Sequence, residues 1–175
     1  MIRKVLNELK SIGVVEIIKN CGAIVKAITY DDIQEIFEIR KCLEPLGLEF
    51  SFPLISLQKL SEMRDRFHQL TFDSLKSDII NLDYELHRCI IGSCNQLRLI
   101  SILEKLFEFI IQVRFIAYNN KSNFEKAKQE HLALIDAIFS RNLEKAKEIL
   151  KDHIETSKAS TFMYLSNNSK KRQRQ

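Results

Sequence analysis

Tryptophan is absent from the 175 residues, and proline and glycine number only 2 and 4. So few chain-turning residues argue against a turn-rich β-sandwich or barrel. With Leu, Ile, Glu and Lys abundant, they favour helices. No apolar run approaches the roughly 18 residues that span a bilayer, and Met1-Ile2-Arg3-Lys4 does not lead into a signal-peptide core. A soluble, cytoplasmic protein without a membrane partner is expected. No Gly-rich phosphate loop, dinucleotide fingerprint, nucleophile elbow or internal repeat occurs. The four cysteines, at 21, 42, 89 and 94, include no C-x-x-C pair, which leaves a zinc knuckle unsupported. They are read as reduced and mostly buried small side chains. What remains is a globular composition, 45% hydrophobic and 29% charged.

The net charge of +4 is local. Lys170, Lys171, Arg172 and Arg174 carry it in a tail without acids, and the rest of the chain is balanced. Residues 166–175 are therefore expected as a basic disordered tail rather than as a nucleic-acid surface.

Ile2, Val5, Leu6 and Leu9 have helical spacing, closed by Gly13. Val14–Ile18 and Ala23–Val25 are short β-prone runs around Lys19-Asn20-Cys21-Gly22, which favours a hairpin. A helix followed by a hairpin is the back half of a winged helix. After Ala27 the pattern is wholly helical. Thr29 is placed as an N-cap with Asp31 and Asp32 in the first turn, and Pro45 is expected to bend or split the helix it opens. Further helices are expected at about 56–70, 79–92, 96–118, 124–139 and 143–165, with polar breaks at 119–123 and 140–142.

Asp83 and His87, at i and i+4, share one helix face with Ile90, Ile91 and Cys94, so that face points inward. Such a pair can be a hydrogen-bonded pair or half of a metal site. His131 opens an apolar stripe (Leu134, Ile135, Ile138), and His153 lies beside Ile149, Leu150 and Ile154. Each stands 11 residues from the turn at 142. In an antiparallel hairpin rising about 1.5 Å per residue, both sit roughly 16 Å from the turn and can face each other. One carboxylate and three neutral imidazoles suit zinc, nickel or manganese, and an ion would satisfy three otherwise unmet buried histidines. With ordinary imidazoles, metal affinity should weaken as pH falls through about 6. His68 lacks comparable partners and is read as ordinary.

These residues, in this order, resemble the FadR-type branch of the GntR family of transcription regulators over about residues 2–162. Ile2–Leu9 is similar to the V-R-E-A-L-x-x-L stretch of its recognition helix. Gly13–Glu16 with Gly22–Val25 is similar to its wing, and Arg40-x-x-Leu43-Glu44 to the motif opening its effector domain. Asp83-x3-His87, Ser93-Cys94-Asn95, Glu130-His131 and His153 are similar to its metal-binding set. The resemblance implies a mainly α fold: an antiparallel bundle of six to seven helices, the FCD type, over 29–165, behind a partial winged helix over 1–28. It implies a homodimeric regulator whose bundle holds a divalent metal, zinc first, through Asp83, His87, His131 and His153. A small carboxylate effector would complete the site, with Arg40 and Asn95 as its contacts, and Arg3 and Lys4 would face DNA. Arg40 has a second reading, a salt bridge to Glu44. Two helices that precede the recognition helix in the family have no counterpart here, so weak operator binding is expected and the wing should have little core to pack on. The alternatives are a metal-dependent hydrolase, for which Glu130 is the one available base but reads as helix surface, and a dimerisation module without DNA binding.

Overall fold

The computed structural model describes residues 2–11, 15–18, 21–25 and 29–172. The chain opens with α1 (Ile2–Ser11) and an antiparallel hairpin of β1 (Val15–Ile18) and β2 (Gly22–Val25). Val15 pairs with Val25 and Ile18 with Gly22. Gly22 takes φ 103°, a conformation open to glycine and strained for other residues. α1 packs on β1, but Ile2, Val5, Ile17, Ile18 and Ile24 stay exposed, in line with the small core expected for this segment. Gly13 lies outside the described residues.

Six helices form the bundle: α2 (Tyr30–Ser51), α3 (Leu57–Gln69), α4 (Lys76–Gly92), α5 (Leu97–Ala117), α6 (Lys121–Phe139) and α7 (Leu143–Arg172). Among the described residues, no helix is long and apolar enough to cross a membrane. Side chains set several of the helix starts. The Thr29 hydroxyl accepts from Asp32 N, and the Asp32 carboxylate accepts from Thr29 N at 3.0 Å, a reciprocal cap. Asn120 Oδ1 accepts from Ser122 N and Asn123 N. That cap starts α6 three residues earlier than the polar run suggested, because asparagine is a good cap even where the residues after it are polar. Asn142 Oδ1 accepts from Lys145 N and starts α7.

Two sequence expectations change here. Pro45 does not split α2: the helix is continuous and buries the ring, so packing offsets the single backbone donor that proline lacks. The stretch expected to be a disordered tail is helical up to Arg172.

The core is a continuous cluster of Ile33, Phe37, Leu48, Leu82, Leu86, Ile90, Leu103, Phe107, Leu134, Ile135, Leu150 and Ile154, among others. α7 lies against α2 and α6, and α4 against α2 and α5. The approach of α2 to α4 is close at Gly47, where an added Cβ would stand 3.1 Å from Ile91 Cγ2. One turn further on, Ser51 Oγ donates to the Ile91 carbonyl at 3.1 Å. This locked crossing has a consequence one turn back on each helix, where Glu44 meets His87. The cysteine expectation holds only in part: all four are free, but only Cys94 is buried, Cys89 is intermediate, and Cys21 and Cys42 are exposed.

Candidate metal centre

Asp83 and His87 on α4, His131 on α6 and His153 on α7 are buried together. One donor atom from each lies within 4.8 Å of all the others. Helical periodicity aims the α4 pair inward, and the α6–α7 hairpin brings the other two to one level. The His131 and His153 rings stand 4.4 Å apart between centroids, and His87 is 5.3 Å from His153.

The protonation pattern follows from the outer partners. His87 Nδ1 is 2.7 Å from Glu44 Oε2, and His153 Nδ1 is 2.9 Å from Glu130 Oε2. A carboxylate accepts, so each Nδ1 carries the proton and each Nε2 presents a lone pair inward. Those two Nε2 atoms face each other at 3.4 Å. Asp83 Oδ1 lies 3.2 Å from His87 Nε2 and 3.5 Å from His131 Nε2. Asp83 Oδ1 and His131 Nε2 are buried without a well-aligned hydrogen bond among the described residues. Bare lone pairs converging in a dry interior repel unless a cation lies among them. Ligands bound at 2.0–2.1 Å to a tetrahedral ion stand about 3.3–3.4 Å apart; the three separations just given, 3.2, 3.4 and 3.5 Å, are close to this, while the whole donor set lies within 4.8 Å. The donor set therefore fits a divalent metal of the zinc type.

A second layer fixes the ligands. Asp83 Oδ2 accepts from Tyr118 Oη and is ion-paired with Arg114 Nε, both at 2.8 Å, leaving Oδ1 for the centre. Burial alone would raise the Asp83 carboxyl, but Arg114, His87 and His131 outweigh it and hold it well below the usual range. Burial likewise opposes ionisation of Glu44, yet Arg40 and His87 hold its carboxyl at about 2. Burial lowers both histidines on the hairpin: His153 to about 3, helped by His87, and His131 well below its ordinary value, helped by His153. These two imidazoles are therefore neutral and ready to ligate at neutral pH. For them, proton competition begins well below the pH of about 6 expected from ordinary histidines. Burial, followed by the adjacent Asp83, pushes the Tyr118 phenol well above its ordinary value, which keeps it a donor.

Arg40 takes up the salt bridge to Glu44. Its Nε is ion-paired with Glu44 inside the core, and its Nη2 is buried without a partner at a cleft that also touches Asp83 and His153. Asn95 does not join the site. It is exposed in the turn between α4 and α5, three residues past the end of α4 at Gly92. Arg3 and Lys4 are exposed on α1, far along the chain from the Asp83 cluster. Glu130 is not plain helix surface, since it is 17% exposed and holds His153. Sequence reasoning missed Arg114 and Tyr118. Arg114 did carry a signal, being the lone charge in the apolar stretch Phe109–Tyr118.

The FCD domain family matches residues 35–156. Among curated proteins, the uncharacterised HTH-type transcriptional regulator YdhC of Bacillus subtilis (strain 168) is 26% identical over 159 residues, 87% of this chain and 70% of that one. Among solved structures, the metal-free FCD domain of TM0439 is 27% identical with TM-score 0.72, covering 81% of this chain and 99% of that one. The Zn2+-bound form of the same domain gives TM-score 0.67 at 27% identity, covering 80% and 98%. E. coli McbR/YncC shares the fold at TM-score 0.82 and 18% identity, covering 92% and 83%.

Proposed function

Because the chain belongs to the FCD domain family, found in GntR-family transcriptional regulators, we propose that its bundle is a metal-dependent sensor of a small organic acid that controls DNA binding. Asp83, His87, His131 and His153 hold the ion, with zinc first among the candidates. Bound there, the ion supplies a fixed positive charge that attracts an effector carboxylate. Glu44 and Glu130 keep two imidazoles in the ligating tautomer, and Tyr118 and Arg114 aim Asp83. Arg40 offers its free N–H groups to the acid. α1 and the hairpin, with Arg3 and Lys4, belong to the DNA-binding winged helix, and the regulator acts as a homodimer in the cytoplasm. Effector and DNA are coupled to the extent that the acid binds one arrangement of the protein better than another.

The observation that carries this reading is the convergence of Nε2 lone pairs on Asp83 Oδ1, with two of the four donors otherwise unpartnered. Elemental analysis after reconstitution tests it. One zinc per chain is expected, and it should be lost in His131→Ala with helical circular dichroism retained. Small carboxylic acids should raise the melting temperature of metal-loaded protein and not of chelated protein. Substoichiometric metal after reconstitution refutes the proposal.

A further inference from the structure

Among the described residues, two narrow voids touch the Asp83 cluster. The one between α2, α5 and α7 reaches Asp83 and His153, and its free space is about 20 Å³. The other, between α3, α4 and α6, reaches Asp83 and His131 and offers about 10 Å³. Each has room for about one water at most, so an ion passes only where a wall gives way. Opening the first wall means displacing Arg40 or Arg114, each buried and ion-paired through Nε to Glu44 or Asp83. Breaking such a pair strands a desolvated charge.

The second void is closed by α3, and α3 is lightly held. Only Leu60 and Phe67 of its 13 residues are buried, against 8 of 17 in α4 and 8 of 19 in α6. Phe67 lies against the cluster, its ring centroid 5.0 Å from that of His131. The remaining ties at this end of α3 are polar and near water. Arg66 pairs with Glu85 of α4, and the two side chains are 49% and 42% exposed. Lys128 of α6 donates through Nζ to the Leu70 carbonyl at 2.7 Å and to the His68 carbonyl at 3.2 Å. An ammonium suits that place, because the last carbonyls of a helix lack intrahelical partners and carry the negative end of its dipole. Few buried side chains and partly exposed polar ties mark a segment that opens locally before the whole chain unfolds.

We infer that α3 is the gate of the metal centre: its C-terminal turn lifts off His131 to let an ion in or out, and Lys128 is the latch that holds it shut. The inference rests on the metal-binding reading above and adds the route and the residue that sets the rate. Lys128 is a positioning residue acting through α3. A latch changes the rates of entry and exit together and leaves affinity nearly unchanged, whereas a residue that shapes the ligands changes affinity.

Two measurements on the full chain test it. Trapping zinc from loaded protein with excess colorimetric chelator gives the exit rate. Lys128→Met keeps the stem and removes the donors, so zinc should leave at least ~10-fold faster, as for losing charge-assisted hydrogen bonds, with affinity held within ~3-fold. Lys128→Arg still donates and should bring exit back to within ~3-fold of the wild-type rate. Hydrogen exchange on chelated protein reads the gate without metal. Amides of residues 60–70 should exchange ahead of those in α4 and α6, and Lys128→Met should speed them at least ~10-fold while α4 and α6 stay unchanged. Amides of α3 as well protected as those of α4 overturn the gate. So does unchanged zinc exit in Lys128→Met, or a loss of affinity that accounts for the faster exit. Wild-type protein that takes up no zinc by elemental analysis overturns the metal reading and the gate together, and that readout sets it apart from the other failures.

Discussion

Asp83 is the residue on which the two layers of the centre depend, and its removal separates stability from metal binding. In Asp83→Ala, the Arg114 guanidinium loses its ion-pair partner at 2.8 Å and the Tyr118 hydroxyl loses its acceptor at 2.8 Å, both in the core. Removing one member of a buried ion pair costs about 3–5 kcal/mol, because the remaining charge stays desolvated. At roughly 2–4 °C per kcal/mol for a chain of this size, the melting temperature of chelated protein should fall by about 10 °C. Asp83→Asn keeps a carbonyl toward Tyr118 and Arg114 and should lose less, yet it too should fail to hold zinc. Urea unfolding of the metal-free proteins measures the first effect, and elemental analysis the second. The double variant Asp83→Ala/Arg114→Leu removes both charges and should recover at least ~1 kcal/mol relative to additivity. An Asp83→Ala loss below about 1 kcal/mol, or strict additivity in the cycle, refutes the assignment of Arg114 as a buried charge neutralised by Asp83.

The lowered histidines give a pH signature. In the unfolded chain an imidazole takes its proton near pH 6.5, whereas in the folded protein His153 waits until about 3 and His131 also titrates well below its ordinary value. Below about 6.5 the unfolded state binds more protons, so the urea midpoint of chelated protein should be level above pH 7 and fall steadily toward pH 5. Each imidazole contributes at most about 1.4 kcal/mol per pH unit; a midpoint unchanged between pH 7 and 5 contradicts the buried, neutral histidines. Glu130→Ala removes the acceptor that orients His153. Zinc affinity should drop about 10–100-fold while the chelated protein melts almost unchanged, and competition with a fluorescent chelator reads the difference.

The clustering of Asp83, His87, His131 and His153 was legible in the sequence because each of its parts depends on local geometry alone. Asp83 and His87 are one turn apart, and His131 and His153 are symmetric about a turn that Asn142 caps. Short, well-signalled connections make such reasoning reliable. The supporting residues were not legible, because no local rule aligns α2 or α5 with α4. Glu44 reaches His87 only through the close helix crossing at Gly47, and Arg114 reaches Asp83 only once α5 has packed. Glu130 misled for a related reason. It sits about 100° around the helix from His131, so it looks outward from α6, and only the arrival of α7 beside it makes it an inner residue. Asn95 differs in the opposite way: similarity of a short motif placed it at the site, while it lies eight residues after His87, in the exposed turn beyond the end of α4.

The unbroken course of α2 links the ends of the molecule. Twenty-two residues at about 1.5 Å each make a rod of about 33 Å. Its middle carries Arg40 and Glu44, and its first turn is fastened at Thr29, four residues after the hairpin. A rod of that length magnifies small rotations: a swing of a few degrees pivoting near Gly47 displaces Thr29 by an ångström or more. Arg40 therefore shares one continuous helix with the cap at Thr29, ten or so residues away along the same rod.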